Sequence, residues 1–324
     1  MRVAVTGAYG YSGQYVAKRL LDQGHDVLTL TNSTRRSNPF GSKVKAEPFN
    51  FSNPAALEKT LRGVDVLINN YWVRFNMQPL FTHAGAVLHA KTLFDAAKRA
   101  GVARIVHISI TNPDRSSDLP YFSGKAEMED HLRSIGLSYC ILRPTVLFGK
   151  EDILINNIAW SLRYLPVFGI FGDGRYRLQP IYVDDLAEAA VLKVHELTDS
   201  TIDAIGPETF HYRDMVEMIA AEIGVRSRIV SLPPEFAYQM TRVIGWFVDD
   251  VVITREEIKG LMEERLYVKS SPLGTTKLSD WVRANRSRLG LEYTSEMARR
   301  LDRISQYRSN DKLITHAGPQ HIQN

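Results

Sequence analysis

The chain has 324 residues, 44% of them hydrophobic and 23% charged, the balance of an ordinary soluble globular protein built as one large α/β body or two smaller ones. Its formal net charge is only +4, from 40 basic and 36 acidic residues, so nothing points to a nucleic-acid partner. Cys140 is the only cysteine; it rules out an intrachain disulfide and suits a reducing, cytoplasmic setting.

The strongest local signal comes first. Val3, Ala4 and Val5 form an apolar, β-type run that stops at Gly7, and glycines recur at Gly10 and Gly13 before a helical pattern carrying Val16, Leu20 and Leu21. A strand, a tight glycine turn and a helix in that order suit a dinucleotide phosphate. Gly7 allows the sharp turn, Gly10 lets backbone approach a pyrophosphate, and Gly13 lets helix and strand pack closely. The helix N-terminus adds N–H groups and a partial positive charge. Tyr9, Tyr11 and Ser12 lie between and after these glycines and are counted with the phosphate loop. Met1 runs straight into this strand, so no secretory leader is expected.

Strand and helix signals then alternate. Strands are expected at 26–31, 43–49, 64–68, 103–109 and 137–142. Helices are expected at 55–61, capped by Ser52 or Asn53 with Pro54 in the first turn, at 79–100, ending at Gly101, and at 121–134. This alternation predicts a Rossmann-type, doubly wound parallel sheet over 1–150, with 180–206 returning to it. After Gly149 the rhythm changes: helix at 152–165, a glycine- and aromatic-rich loop at 166–174, a helix at 184–197 opening on Asp184 and Asp185, a strand at 202–206, then helices at 212–223, 234–247, 254–264 and 294–307. Residues 151–179 and 207–308 are therefore expected to form a smaller, mainly helical substrate or cap region, and 309–324 a flexible tail. The most apolar stretch, 236–253, is broken by Arg242, Asp249 and Asp250; it predicts an amphipathic helix, and membrane association is not expected. No metal site is expected.

The second strand ends without a carboxylate. A ribose-binding acid ordinarily stands about 20 residues past the glycine loop. Here Asn32, Ser33, Arg35 and Arg36 offer an amide, a hydroxyl and two guanidiniums, groups that suit phosphate oxygens and favour NADP(H) over NAD. Asn50 and Phe51 end the third strand and Asn70 and Tyr71 the fourth, positions that fit an adenine pocket and the underside of the cofactor. Downstream, Tyr121 is the only tyrosine followed four residues later by lysine, Lys125, which puts both side chains on one helix face. A phenol titrates near 10 unaided, about where a proton is hard to release at neutral pH, and an adjacent ammonium lowers that value. Tyr121 is thus the candidate acid/base, with Lys125 tuning it and holding the nicotinamide ribose. Ser109 and Thr111, at the end of the fifth strand, are the candidate hydroxyls for a substrate carbonyl.

These motifs together resemble the short-chain dehydrogenase/reductase superfamily in its extended and atypical branches, whose members include NAD-dependent epimerase/dehydratase-like proteins. The resemblance rests on Thr6-Gly7-x-x-Gly10-x-x-Gly13, on Tyr121-x-x-x-Lys125, on Arg143-Pro144 and on the 177–187 segment, and spans residues 1 to about 195. It implies that Thr111 is the substrate-side hydroxyl, that Ser109 lines the nicotinamide side and that Pro144 touches the nicotinamide. Asn50 departs from the aspartate common in the superfamily. The most similar subgroup includes the nucleotide-binding accessory subunit of respiratory complex I, which binds NADPH without known turnover. Two readings follow: an NADP(H)-dependent oxidoreductase or epimerase acting on a small-molecule carbonyl or hydroxyl, and a non-catalytic NADPH-binding sensor or structural subunit. A homodimer is compatible with either. Asn156, Asn157, Trp160, Gln179, Tyr182 and the 168–171 loop, with Trp72, Arg74 and Phe75, are expected to line the substrate pocket.

Overall fold

The computed structural model describes residues 1–305. In chain order the elements are β1 (Arg2–Thr6), α1 (Tyr11–Asp22), β2 (Asp26–Leu30), β3 (Val44–Glu47), α2 (Pro54–Leu61), β4 (Val66–Asn69), α3 (His83–Ala100), β5 (Arg104–Ile108), α4 (Pro120–Ser134) and β6 (Ser138–Pro144). There follow β7 (Leu147–Phe148), α5 (Leu154–Tyr164), β8 (Val167–Phe171), β9 (Arg177–Leu178), β10 (Ile181–Tyr182), α6 (Val183–Leu192), β11 (Ser200–Ala204), β12 (Phe210–His211), α7 (Tyr212–Glu222), β13 (Arg228–Leu232), α8 (Pro234–Val248), α9 (Arg255–Met262), α10 (Leu278–Asn285) and α11 (Glu296–Leu301). They divide into two compact units. The first holds Met1–Pro144 and Val183–Ala204; the second holds Thr145–Tyr182 and, from Ile205, the rest of the described chain.

The first unit is a seven-stranded sheet in the order β11-β6-β5-β4-β1-β2-β3, with every neighbouring pair parallel. This is the doubly wound α/β arrangement. β4 and β5 are buried along their whole length, as strands covered by helices on both faces must be. Leu57, Leu61, Leu93, Phe94, Met128 and Leu132, from α2, α3 and α4, pack on Leu28, Leu67, Ile105 and Ile141 of the sheet. On α1, Arg19 pairs with Asp184 (2.6 Å) and Glu188 (3.2 Å) of α6, so the acidic start of α6 faces an arginine. Winding reverses between β1 and β4, the switch point beside which such sheets bind ligands at their carboxyl edge. The helix expected at 79–100 begins only at His83, where the Thr82 hydroxyl accepts from Gly85 N at 3.0 Å; a small Met77–Phe81 bridge precedes it.

The second unit is built from three two-stranded pairs, β7 with β10, β8 with β13 and β9 with β12, and from helices. Phe148, Ile155, Leu162, Phe168, Ile170, Tyr176, Tyr212 and Met215 form its core. The segment expected as a loop at 166–174 contains β8, which pairs in parallel register with β13, from Val167 opposite Arg228 to Phe171 opposite Leu232. Gly169 packs directly under Leu232, whose Cδ1 would stand 2.7 Å from a Cβ there and would have to shift to admit one. β13 and α10 were not expected. The helix expected at 294–307 is confined to Glu296–Leu301, and the tail expected at 309–324 lies outside the described residues. α8 exposes Phe236, Val243, Trp246 and Phe247 by 57% or more of their surfaces, yet no described helix is long and apolar enough to cross a membrane.

Candidate functional site

The glycine loop is held open by backbone and by one strand hydroxyl. Gly7 adopts φ +69°, a left-handed conformation that a side chain would strain, and its N–H donates to Leu30 O at 2.9 Å. Ala8 N donates to Thr29 Oγ1, which donates onward to Val5 O, both at 2.9 Å. Gly10 is the N-cap of α1; no side chain caps the helix and no acidic residue lies in its first turn. A Cβ on Gly10 would sit 3.2 Å from Gly7 O, and one on Gly13 only 2.2 Å from it. The result is a backbone cradle with a helix N-terminus open at its end, which fits a pyrophosphate.

Of the loop side chains, Ser12 is half-buried in the first helical turn and Tyr11 meets Tyr15 edge-on at 6.5 Å. Tyr9 corrects the expectation. It is 3% exposed, and its hydroxyl donates to Val44 O of β3 at 2.9 Å, so its side chain braces the sheet instead of lining the cradle.

The loop after β2 closes a small turn. Ser33 N donates to Thr31 Oγ1 (3.0 Å) and Arg36 N to Ser33 O (2.9 Å). Asn32 and Arg35 are exposed, Arg35 has no carboxylate partner among the described residues, and the sequence holds no acid between Asp26 and Glu47. Asn50 takes a left-handed φ of +49°, and its carbonyl accepts from Asn53 N. Phe51 stacks on His89 (4.2 Å, 4°) and on Phe49 (4.6 Å), with Tyr71 tilted against both phenylalanines and its hydroxyl 2.9 Å from His89 Nδ1. Phe51 and Tyr71 thus belong to an aromatic cluster whose other members, Phe49 and His89, the sequence reading missed. Burial lowers the His89 imidazole below its usual range. Asn70 N donates to Thr6 Oγ1 at 2.7 Å, while both ends of its side-chain amide are buried without a hydrogen-bond partner. Buried amides in folded proteins are nearly always paired, so this one fits a bound polar ligand at the carboxyl edge of β4.

A polar chain runs beneath this edge. Thr6 Oγ1 donates to Asn69 Oδ1 (3.2 Å), and Asn69 Nδ2 lies 3.1 Å from His107 Nδ1. Burial holds His107 well below the ordinary imidazole range, so the ring is neutral and accepts from Asn69.

Tyr121 and Lys125 share one face of α4. Lys125 is 2% exposed; its Nζ donates to Ile108 O at 2.9 Å and lies 4.8 Å from the Trp72 ring centre. Burial pulls this ammonium down to about 7, with the Glu129 carboxylate pulling it back up. Trp72 stacks on His83 (5.4 Å, 12°), and both rings meet half-buried Tyr121 edge-on, at 5.5 and 5.6 Å. Gly124 leaves room for the indole, since a Cβ there would stand 3.0 Å from Trp72 and from Val87.

Ser109 is a second correction. Its hydroxyl, 3% exposed, donates to Glu129 Oε1 at 2.5 Å, so its proton is committed to that carboxylate. Glu129 also accepts from Arg143 Nε (3.0 Å) and Nη2 (2.6 Å) and from Arg133 Nη2 (2.9 Å). Thr111 is fully buried, and its N–H donates to Pro144 O at 3.0 Å, so these two candidate residues are brought together. Sequence reasoning missed Glu129; the signal available was its place two turns past Tyr121, on the same helix face.

Within the second unit several expected pocket residues are engaged by their own fold. Asn156 Nδ2 donates to Glu292 O and Thr294 Oγ1, and Asn157 Nδ2 to Thr294 O. Gln179 donates to Thr209 Oγ1 and accepts from Val268 N, and Phe168 lies inside the core.

The chain is similar to known proteins over much of its length. The NAD dependent epimerase/dehydratase family matches residues 3–202. The chain is 26% identical over 263 residues to the mitochondrial NADH-ubiquinone oxidoreductase 40 kDa subunit of Neurospora crassa, covering 79% of this chain and 69% of that protein. It is 22% identical to the photosystem II assembly factor Ycf39 of Cyanophora paradoxa, covering 96% of this chain and 98% of that protein. Among solved structures, the triphenylmethane reductase of Citrobacter sp. complexed with NADP(H) superposes with a TM-score of 0.72 at 16% identity, over 88% of this chain and 99% of that one. The last likeness is one of fold. With the family match over most of its length and the glycine cradle at its first crossover, the chain belongs to the NAD dependent epimerase/dehydratase family.

Proposed function

We propose that this protein binds NADP(H) along the carboxyl edge of its parallel sheet and uses Tyr121 to exchange a proton with the oxygen of a small-molecule carbonyl or alcohol. The cradle of Gly7, Gly10 and Gly13 takes the pyrophosphate, Asn70 pairs its buried amide with the ligand, and Arg35 with Ser33 and Asn32 receives the 2′-phosphate. When bound, the dinucleotide supplies a nicotinamide ring that accepts or donates hydride. The chain's own part is the proton: Tyr121 Oη gives it to, or takes it from, the substrate oxygen, and Thr111 Oγ1 orients that oxygen. Lys125 places its amine on the same helix face as the phenol and, through Ile108 O, fixes the end of β5. The observation that carries the reading is the pairing of Tyr121 and Lys125 on one face of α4, with the lysine anchored to the strand end. Tyr121→Phe tests it: turnover is lost while NADPH still binds, and full turnover in that variant refutes the assignment.

A second reading has its own support. The Lys125 amine is 2% exposed, donates to a main-chain carbonyl and lies against Trp72, an arrangement suited to holding a structure in place. Two relatives are named as a subunit of a larger oxidoreductase and as an assembly factor. On this reading the protein retains NADPH as a fixed part of an assembly, exchanges it slowly and shows no ketone- or sugar-dependent oxidation of it.

A further inference from the structure

We propose that Glu129 is the positioning residue of the Tyr121–Lys125 face: its buried carboxylate anchors the end of β5 through Ser109 and supplies the counter-charge for Lys125 one helical turn away. The inference builds on the catalytic reading above but concerns groups that reading leaves unassigned.

Four donors from three elements converge on this one carboxylate. Ser109 follows β5, Arg143 lies in β6, and Arg133 lies on α4 itself. The Glu129 side chain is 1% exposed, whereas those of Arg143 and Arg133 are 26% and 34% exposed. A bare carboxylate at that depth would be strongly unfavourable; two guanidiniums, one of them bidentate, and a hydroxyl surround it. Because Tyr121, Lys125 and Glu129 are spaced four apart on α4, the charge lies on the face that presents the phenol and the ammonium.

The surroundings of Lys125 make that charge matter. On α4 it faces Tyr121 and Glu129. From β5 it faces the Ile108 carbonyl and His107, which burial keeps neutral, and from the chain after β4 it faces the Trp72 ring. Among these groups Glu129 alone carries a full negative charge. Burial disfavours the ammonium and Glu129 opposes that effect. Ser109, expected to face the nicotinamide, instead completes the Glu129 shell and so couples this charge to the strand end where Lys125 is also anchored.

The test is the titration of Lys125 in nucleotide-free protein, followed by NMR of 13Cε-labelled lysine and assigned by Lys125→Arg. Glu129→Gln is expected to lower the Lys125 midpoint by about one pH unit or more, while Ser109→Ala leaves it in place. An unchanged midpoint in folded Glu129→Gln overturns the proposal. Should that variant fail to fold, Glu129→Asp, which keeps the carboxylate but withdraws it by one methylene, is expected to lower the midpoint by a smaller amount, and an unchanged midpoint overturns the proposal. The readout is independent of turnover. If Tyr121→Phe keeps full activity, the catalytic reading falls while the midpoint shift stands, so the two failures are separable.

Discussion

The Lys125 ammonium lies 4.8 Å from the centre of the Trp72 indole and is almost wholly withdrawn from water. Such contact recovers part of the lost hydration, but burial still lowers the lysine from 10.5 to about 7. The consequence for stability has a definite sign. The unfolded chain keeps its lysine protonated up to about 10.5, whereas the folded protein releases that proton near 7, so folding is penalised in full below about 7 and the penalty fades as pH rises to about 10.5. Wild type should therefore gain stability relative to Lys125→Met between those limits, by a few kcal/mol at about 1.4 kcal/mol per pH unit. Urea denaturation of both proteins at several pH values reads this; parallel pH profiles would show that the lysine is not depressed.

Gly13 decides whether the cradle can exist. A Cβ there would stand 2.2 Å from Gly7 O, a backbone atom that cannot swing aside as a side chain would. Gly13→Ala should push α1 off the loop, with dinucleotide affinity falling by roughly 100-fold or more, the scale of losing two charge-assisted hydrogen bonds. Calorimetric titration with NADPH checks it. An alanine variant that binds as wild type would mean that the pyrophosphate lies elsewhere.

Tyr9 tests the correction made to the loop. Its hydroxyl donates to Val44 O inside the sheet. Tyr9→Phe should lower stability by about 0.5–1.5 kcal/mol, because Val44 O loses one of two donors and keeps Asn38 Nδ2 at 2.8 Å, and should leave NADPH affinity unchanged. Loss of affinity at full stability would return Tyr9 to the binding surface.

The first unit was legible because its signals are local. Gly7, Gly10 and Gly13 announce a crossover, and the alternation of apolar runs with helical patterns announces the parallel sheet. β8 was not legible: Val167-Phe168-Gly169-Ile170-Phe171 reads as a glycine-broken aromatic loop until its partner, β13, arrives some sixty residues later. The same limit hid the site's interior. Ser109 looks like a free hydroxyl at a strand end, and only the fold brings Glu129, Arg133 and Arg143 onto it. Glu129 reads as an exposed helix charge because carboxylates usually are exposed, and its burial depends on two arginines whose approach no periodicity records. Tyr9 misled for a related reason, since its neighbours in sequence are phosphate-loop glycines while its neighbour in space is β3.

The most direct test of the account is a paired titration of the purified protein with NADPH and NADH, repeated on Arg35→Ala. Arg35 is exposed beyond the end of β2 with no carboxylate partner among the described residues, in a loop free of acids. The account predicts that NADPH binds more tightly than NADH, and that Arg35→Ala weakens NADPH by about 10- to 100-fold, the range of one hydrogen bond to a charged group, while NADH affinity is unchanged. Equal affinity for the two dinucleotides in wild type, or no binding of either, would contradict it.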